Sequence, residues 1–388
     1  MSATMNPVVQ RALGVAVAVL AACGVAGAAA VAAAGGGARP VAGHVTTTTT
    51  TSEPTTTSIT PAPTTTSTTS TVPTTIAVLP PTTVAPQPAT ANLAGCPVPP
   101  RPGPAPHPPP PWHPAALVPD SALPAVQPPA PWRSSLAAIQ GKGMWIWLWS
   151  ETNAGNPNAV VHQAVAAGLH QLWVRVGDSK YGFYGASELA ALVPVAHAAG
   201  LSVVAWGFPY LYDPVGDSNW TAQILSWRDS AGQTVDAYSA DIERSTEGVD
   251  LTAQRVAVYL EQVRKGAGST PVVATVYPPL DAYWAGGYPY STIATYVDAF
   301  APMVYWECID PGTAAQSAIQ RLSTLRPVHV IGQAFNMSDV GGRTVAPTGS
   351  EITEFLTQSR KDGALGASFW VWQTATNEEW SALSAYRW

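Results

Sequence analysis

Eight short apolar runs recur between residues 143 and 372 of this 388-residue chain, and stretches with helical spacing or helix-start signals lie between them. The runs are Gly143–Trp149, Gln171–Val176, Ser202–Phe208, Val235–Glu243, Pro271–Tyr277, Ala299–Trp306, Val328–Gly332 and Gly366–Trp372. Strands that are apolar on both faces belong to parallel sheets covered by helices on both sides. Eight strand–helix units over about 250 residues are typical of a (β/α)8 barrel. We therefore predict an α/β fold, a TIM barrel, for residues 136–388.

The first residues of the chain have the pattern of an export segment. Arg11 precedes an apolar, Ala-rich run that extends from Ala12 to Ala34. A basic residue before such a run indicates a signal sequence, so we predict a signal peptide or membrane anchor over residues 1–35. Cleavage near Ala34 would release a soluble protein, whereas the uncleaved run is long enough to span a bilayer.

A third outcome for the export segment is lipid modification. Residues 20–23 resemble a bacterial lipobox that ends at Cys23. The apolar run continues beyond this cysteine, which favours a signal peptide or an anchor over a lipoprotein. In every case we expect the rest of the chain outside the cytoplasm, secreted or anchored at the cell surface, with a partner in the cell envelope or membrane through this segment.

The residues between the export segment and the barrel are rich in Thr and Pro. Residues 45–90 are almost all Thr, Pro, Ser and small residues, which bury too little apolar surface to fold. We predict a disordered linker over residues 36–92, of the Ser/Thr/Pro composition typical of O-glycosylated stalks. Residues 93–135 remain rich in Pro but contain Cys96, Trp112 and Trp132, so we expect this segment to lead into the barrel and lie against it.

The cysteines and the charge balance narrow the function further. If Cys23 is removed with the leader, Cys96 and Cys308 are the two that remain, and we predict that they form a disulfide in an oxidising compartment. The chain contains neither a CxxC pair nor an HExxH motif, so we predict no metal site and no cofactor. The net charge of −6 includes no basic block, which argues against nucleic acid as a partner. We expect a monomer.

The fourth predicted strand ends on two carboxylates. Side chains alternate across a strand, so Ser239, Asp241 and Glu243 lie on one face. Burial of two neighbouring carboxylates is costly and shifts their pKa values, which favours a functional site. A structural interpretation remains open, in which one carboxylate caps the next helix and the other pairs with Arg244.

Active sites of these barrels lie at the carboxyl ends of the strands. In this chain those ends are rich in aromatic side chains, with a few amides and an arginine. Aromatic rings stack on the C–H faces of sugars, and a concave site with few polar groups fits a saccharide. The predicted substrate-binding residues are Trp147, Trp149, Arg175, Trp206, Tyr277, Trp306, Gln333, Trp370, Trp372 and Gln373. Because one strand face must be buried, we expect roughly half of these Trp residues to be core.

The sequence Asp236-Ala-Tyr-Ser-Ala-Asp-Ile-Glu243 is similar to the DxxDxDxE motif that chitinase-like glycosidases carry on the fourth barrel strand. The first acid and the last two acids match, and Ser239 replaces the middle Asp. Residues 303–305, Met-Val-Tyr, resemble the M-x-Y of the same family on strand six. A Trp on strand eight, Trp370 or Trp372, would correspond to the floor of the cleavage subsite.

Muramidase-type lysozymes and their exported relatives show a second resemblance. The short Asp-x-Glu on strand four and Trp372-Gln373 on strand eight resemble theirs. The muramidases carry an Asp on strand one, where this chain has Trp147, Trp149 and Glu151.

These resemblances imply a glycoside hydrolase that acts on a cell-wall or extracellular polysaccharide, with Glu243 as general acid. In the chitinase pattern Asp241, assisted by Tyr305, orients a substrate acetamido group that acts as nucleophile. If two protein carboxylates act instead, Glu307 is the expected partner, unless it is paired with an arginine. A second hypothesis from a different class remains open, a catalytically silent barrel that binds glycan or serves as a surface interaction module. The loss of the middle Asp at Ser239 and of the Asp on strand one supports it.

Overall fold

The structure is a computed structural model that describes residues 92–96, 116–281, 283–338 and 342–388. The predicted export segment (1–35), nearly all of the predicted linker (36–92) and Trp112 lie outside the described residues. In the part of the chain that is described, no helix has the length and apolar character needed to cross a membrane.

Eight parallel strands form the barrel, and a ninth, short strand is attached to it. The strands are β1 Gly141–Ile146, β2 Gln171–Asp178, β3 Gly182–Phe183, β4 Ser202–Phe208, β5 Ala237–Asp241, β6 Val272–Val276, β7 Ala299–Pro302, β8 His329–Gln333 and β9 Gly366–Trp370. Their order is β7-β6-β5-β4-β2-β1-β9-β8, and β3 pairs with the end of β2 in antiparallel fashion. Two parallel bridges, Phe300 to Val328 and Met303 to Ile331, connect β7 to β8 and close the ring.

Helices follow the barrel strands and cover the outside of the ring. They are α1 Pro157–Ala166, α2 Ala186–Ala198, α3 Pro214–Ser226, α4 Ala253–Ala267, α5 Tyr290–Ala294, α6 Pro311–Leu322, α7 Gly349–Lys361 and α8 Asn377–Ala385. Side chains at the N-terminal ends fix where several helices begin: Thr348 and Thr376 form capping boxes with Glu351 and Glu379. The predicted (β/α)8 barrel is confirmed.

Alternation along the strands divides the apolar residues into an outer core beneath the helices and an inner core within the ring. Trp145, Trp173 and Trp206 fill the inner core, and the first two stack with ring centroids 4.7 Å apart. These rings come from β1, β2 and β4, while β5 and β7 present small residues to the inner core, Ala237 and Ala299. The inner core is therefore packed up to the level of the mouth.

The segment before the barrel lies against its outer wall. The Trp132 indole donates to Asp298 Oδ1 at 2.7 Å, and the Arg264 guanidinium lies 5.1 Å from the centre of the same indole. Further up the chain, Cys96 and Cys308 form a disulfide with their Cα atoms 5.7 Å apart. The described parts of residues 93–135 thus pack on the barrel.

Candidate active site

Asp241 is the last residue of β5, and Glu243 follows two residues later at the mouth of the barrel. Asp241 is only 6% exposed and Glu243 is half-buried. Asp241 Oδ1 and Glu243 Oε2 are buried, and neither accepts a hydrogen bond from any residue that the structure describes. The helix that follows is capped by Thr252 instead. The geometry therefore favours a functional pair over a structural one.

The pKa values of both carboxyls are raised. Burial raises the pKa of Asp241 to about 7, with Arg175 opposing the shift and Glu247 adding to it. Burial also raises the pKa of Glu243 well above its usual range, and the charges of Asp241 and Glu247 raise it further. The Tyr277 hydroxyl and Arg244 act in the opposite direction. A raised pKa is the property that a general acid working near neutral pH requires.

A basic and aromatic wall holds the segment that carries Glu243. The Arg244 guanidinium lies 4.3 Å from the centre of the Tyr277 ring and 4.7 Å from that of Tyr283. The Tyr288 hydroxyl donates to the Ile242 carbonyl at 2.5 Å. These contacts fix the backbone on both sides of Glu243.

A second arginine, Arg175 on β2, lies on the other side of the pair. Its Nη2 is 3.2 Å from Asp178 Oδ2, and its guanidinium is 5.4 Å from the centre of the Trp206 ring. The positive charge favours the ionised form of Asp241. Arg175 therefore offsets part of the effect that burial has on the pKa of Asp241.

Three of the predicted tryptophans face the inner core. Trp370 lies 6.3 Å from Trp147 and 5.7 Å from Trp206, measured between ring centroids, and it is partly exposed. Of the two candidates on the last strand, Trp370 is thus the one that faces the inside of the ring. The Trp370–Val371 peptide bond is cis.

The other three predicted tryptophans point into the outer core, and we withdraw them as substrate-binding residues. The Trp306 indole donates to Glu351 Oε2 at 2.9 Å beneath α7. The Trp372 indole donates to Asn153 Oδ1 at 3.0 Å, and Trp149 packs against the outer core. On a continued strand, residues two apart would share a face. The strands β1, β7 and β9 end at Ile146, Pro302 and Trp370, before these three tryptophans, so the predicted alternation does not reach them.

The two predicted amides are occupied by hydrogen bonds within the chain. Gln333 donates to the Phe335 carbonyl at 2.9 Å and accepts from the Glu307 backbone N–H at 3.0 Å. Gln373 donates to the Leu148 carbonyl at 2.8 Å. Both amides shape the mouth loops, which leaves them poorly placed to bind a sugar hydroxyl.

Tyr305 and Glu307 follow β7 but differ in their relation to the pair. Burial raises the pKa of Tyr305 well above its usual range, and the charges of Glu243 and Asp241 raise it further, so its hydroxyl remains a donor beside them. The Glu307 carboxylate instead lies against Gly342. The structure thus places Tyr305 near the pair and turns Glu307 towards a neighbouring loop.

Glu247 is a residue that our sequence analysis missed. It ends the short turn Ser245–Glu247, is half-buried, and its charge raises the pKa of both Asp241 and Glu243. The signal was present in the sequence as a third acid four residues after Glu243. We overlooked it because the strand alternation that identifies Asp241 and Glu243 does not extend into a turn.

Glu247→Gln should lower the apparent pKa values of the Asp241–Glu243 pair, because it removes a negative charge that disfavours their ionisation. The measurement is a pH titration of 13C-labelled carboxyls by NMR, assigned with Asp241→Asn and Glu243→Gln. Glu307→Gln is the matched control and should leave the apparent pKa values of Asp241 and Glu243 unchanged. Equal shifts in the two variants would contradict the assignment of Glu247 to the site.

Among the described residues, no group of three His, Cys, Asp or Glu side chains is arranged to hold a metal ion. The carboxyls of Asp241 and Glu243, beside the tryptophans of the inner core, are suited to acid–base chemistry.

No protein-family model matches the sequence, and no curated protein matches it. Among solved structures, a GH18 chitinase from Pseudoalteromonas aurantia is similar with a TM-score of 0.46 at 14% identity, over 62% of this chain and 97% of its own. An endo-1,4-β-mannanase from Rhizomucor miehei has a TM-score of 0.47 at 7% identity, over 60% of this chain and 86% of its own. The spore cortex-lytic enzyme SleL of Bacillus cereus has a TM-score of 0.47 at 12% identity, over 66% of this chain and 76% of its own. The three similar structures are thus named as a chitinase, a mannanase and a cortex-lytic enzyme.

Proposed function

We propose that this chain is an exported glycoside hydrolase that acts on a cell-wall or extracellular polysaccharide, with Glu243 as its general acid. The observation that carries the proposal is the pair Asp241–Glu243 at the mouth of the barrel, in which each carboxyl has one buried oxygen without a hydrogen-bond partner, beside the aromatic inner core. Carboxyls with perturbed pKa values at the carboxyl ends of barrel strands are candidates for catalytic residues.

In the proposed reaction Glu243 gives its proton to the glycosidic oxygen as the bond to the anomeric carbon breaks. The nucleophile in the first form of the mechanism is an acetamido oxygen of the substrate. Asp241 orients this group and stabilises the positive charge that develops on it, while the Tyr305 hydroxyl donates a hydrogen bond. Water then attacks the cyclic intermediate and restores the sugar, and Glu243 recovers a proton from that water.

The second form of the mechanism uses two protein carboxylates. Glu307 was our expected partner for Glu243, but Glu247 interacts with Glu243 electrostatically and is the better candidate. The separation of the two carboxyl groups in a substrate complex then decides between retention and inversion of configuration.

A catalytically silent barrel that binds glycan is the second candidate, and one contact favours it. Ser239, which stands in place of the middle Asp of the motif, bonds to Thr275 with its Oγ 2.9 Å from Thr275 Oγ1. The position of the middle Asp is therefore held by an uncharged hydroxyl that is bonded within the chain.

Export is supported by two features. The apolar run after Arg11 has the pattern of a signal or anchor, and the disulfide between Cys96 and Cys308 is of a kind that persists in oxidising compartments. We propose that the barrel works outside the cytoplasm, secreted or attached to the cell envelope.

Digestion of purified glycans tests the proposal. Wild-type protein and Glu243→Gln should be incubated with peptidoglycan, chitin, mannan and xylan, and new reducing ends counted. We expect at least one polymer to be cleaved by the wild type and not by the variant. Binding of a polymer without cleavage by the wild type would favour the silent barrel, and cleavage by both proteins would exclude Glu243 as the acid.

A further inference from the structure

Three aromatic side chains outside the predicted site are unusually exposed for their size. Tyr181 is 45% exposed and Tyr184 39% exposed, and both follow β2. Trp284, 39% exposed, follows β6. All three belong to loops at the carboxyl ends of strands, the end of the barrel at which Asp241 and Glu243 lie. Single exposed apolar side chains are common on protein surfaces, so it is the position of these three at the mouth of the barrel that bears on function.

The first loop is built to hold its two tyrosines in place. Asp178 Oδ1 accepts from the backbone N–H groups of Lys180 at 3.0 Å and of Tyr181 at 2.8 Å. The Tyr184 backbone N–H donates to the Val176 carbonyl at 3.0 Å, beside the antiparallel pairing of β2 with β3. The two rings meet edge to face, with centroids 6.4 Å apart. Since the backbone is fixed, the exposed rings lose little conformational freedom when a ligand binds.

This loop is continuous with the candidate active site. Asp178, which holds the turn, also pairs with Arg175 of the inner ring. Burial of its hydroxyl raises the pKa of Tyr184, and the charges of Arg175 and Asp178 act on the same hydroxyl in opposite directions. Tyr184 thus closes the loop that Asp178 holds, and part of its ring remains in contact with solvent.

The second loop borders a cleft of about 400 Å³, whose lining includes Leu251, Trp284 and Tyr290. The Trp284 and Tyr290 rings lie 5.7 Å apart. The preceding residue, Tyr283, packs against Tyr277 and Arg244 of the wall beside Glu243. Aromatic surface thus extends from the catalytic pair outwards on this side as well.

The order of the strands places the pair between the two loops. Around the ring, β2 is followed by β4, β5 and β6. At about 4.8 Å per strand, the first and last of these are separated by roughly 14 Å along the sheet. This distance exceeds the length of one sugar ring, so a ligand that contacts both loops must contain several sugars.

We propose that Tyr181 and Tyr184 on one side and Trp284 on the other form the two ends of a track that binds a polysaccharide over several sugar units, with Asp241 and Glu243 beneath its middle. This inference rests on the proposed function for the identity of the ligand as a glycan. Neutral aromatic faces suit the C–H faces of pyranose rings. A protein partner would require a larger continuous apolar surface than these separate rings provide.

Affinity electrophoresis in gels that contain glycol chitin, galactomannan, xylan or solubilised peptidoglycan strands tests the track without requiring hydrolysis. All proteins carry Glu243→Gln so that the polymer stays intact. Tyr181→Ala and Trp284→Ala should each weaken binding of the retarding polymer by about 2- to 10-fold, the range expected for one aromatic contact. Tyr181→Phe and Trp284→Phe keep a ring and should bind nearly as the parent does. Val165→Ala, at an exposed apolar residue on α1, should bind unchanged.

Competition with tetrasaccharides and monosaccharides of the same polymer separates a track from a single sugar site. We expect the alanine variants to lose affinity for the polymer and to keep their affinity for the monosaccharide. Equal losses for all lengths, loss in the Val165→Ala control, or retardation by none of the polymers would overturn the inference. If the Glu243→Gln protein binds polymer through both loops but the wild type cleaves no polymer, the inference of a binding track is supported and the hydrolase proposal fails.

Discussion

Glu243→Gln should lower kcat on the cleaved polysaccharide by about 10²–10⁴-fold, the usual contribution of a positioned general acid. The substitution preserves the size and shape of the side chain and removes the proton that the glycosidic oxygen requires. Because the contribution is made in the transition state, KM should change much less than kcat. Steady-state kinetics on the polymer identified by the digestion panel provide the measurement.

Asp241→Asn distinguishes the roles of the two carboxyls. Burial is the main reason why the pKa of Glu243 is high, and the negative charge of Asp241 adds to it. Without that charge the pKa of Glu243 falls, and the alkaline limb of the kcat profile should move to lower pH. Glu307→Gln is the matched control, since its carboxylate lies against Gly342. A loss in Glu307→Gln as large as that in Glu243→Gln would instead assign the second catalytic carboxylate to Glu307.

The stability of Glu243→Gln separates lost chemistry from lost structure. A carboxyl with a raised pKa makes the folded protein bind more protons than the unfolded chain, so the wild type loses stability as pH rises from about 4 through the folded-state pKa. An uncharged amide at the same position avoids this loss. The variant should therefore unfold at or above the wild-type temperature at pH 8, while its activity is low.

The fold of this chain was accessible from sequence because apolar runs and helix caps are local signals. Residues such as Asp241 lie on strands, where the alternation of side chains determines which face they share. The limits of that reasoning appear where strands end. Trp149, Trp306 and Trp372 continue apolar runs in the sequence, but β1, β7 and β9 end earlier, and these three rings point beneath the helices.

The parts of the site that were not predicted depend on contacts between distant segments. Gln333 and Gln373 are amides at strand ends, as a sugar site would need, but loop carbonyls and hydroxyls occupy them. Glu247 acts on the pair through a turn whose conformation Gly248 completes with a positive φ of 85°. Tertiary geometry of this kind leaves no periodic trace in a sequence.

Arg343→Met should destabilise the barrel by about 3–5 kcal/mol, the usual cost when one partner of a buried ion pair is removed. Both side chains are buried, and Arg343 Nη1 and Nη2 lie 2.6 and 2.8 Å from the two oxygens of Glu351. Loss of the guanidinium leaves the carboxylate with only the Trp306 indole and its own helix terminus as donors. The midpoint of urea unfolding of the full chain, followed by tryptophan fluorescence, provides the measurement.

The double variant Arg343→Met with Glu351→Gln identifies the uncompensated charge as the cause. An amide carries no charge and still completes a capping box with Thr348, so the double variant should recover a large part of the lost stability. Arg343 also donates through Nε to the Ala94 carbonyl at 2.7 Å, next to the disulfide at Cys96. The residual difference from wild type therefore measures the attachment of this segment. A double variant as unstable as the single one would contradict the charge explanation.

The pH dependence of stability in the wild type and in Arg343→Met tests independently whether the unpaired charge of Glu351 is the cause. Burial alone would raise the pKa of Glu351, but hydrogen bonds from Arg343 and Trp306 hold it below its usual value. In the wild type the stabilisation is thus present above the unfolded-state pKa and is lost as pH falls through the lower folded-state pKa. In Arg343→Met burial dominates, the carboxyl becomes protonated more easily, and acid removes the unpaired charge. The difference in stability between wild type and Arg343→Met should therefore become smaller as pH falls from 7 towards about 4. A difference that stays constant would mean that lost packing, and not charge, accounts for the effect.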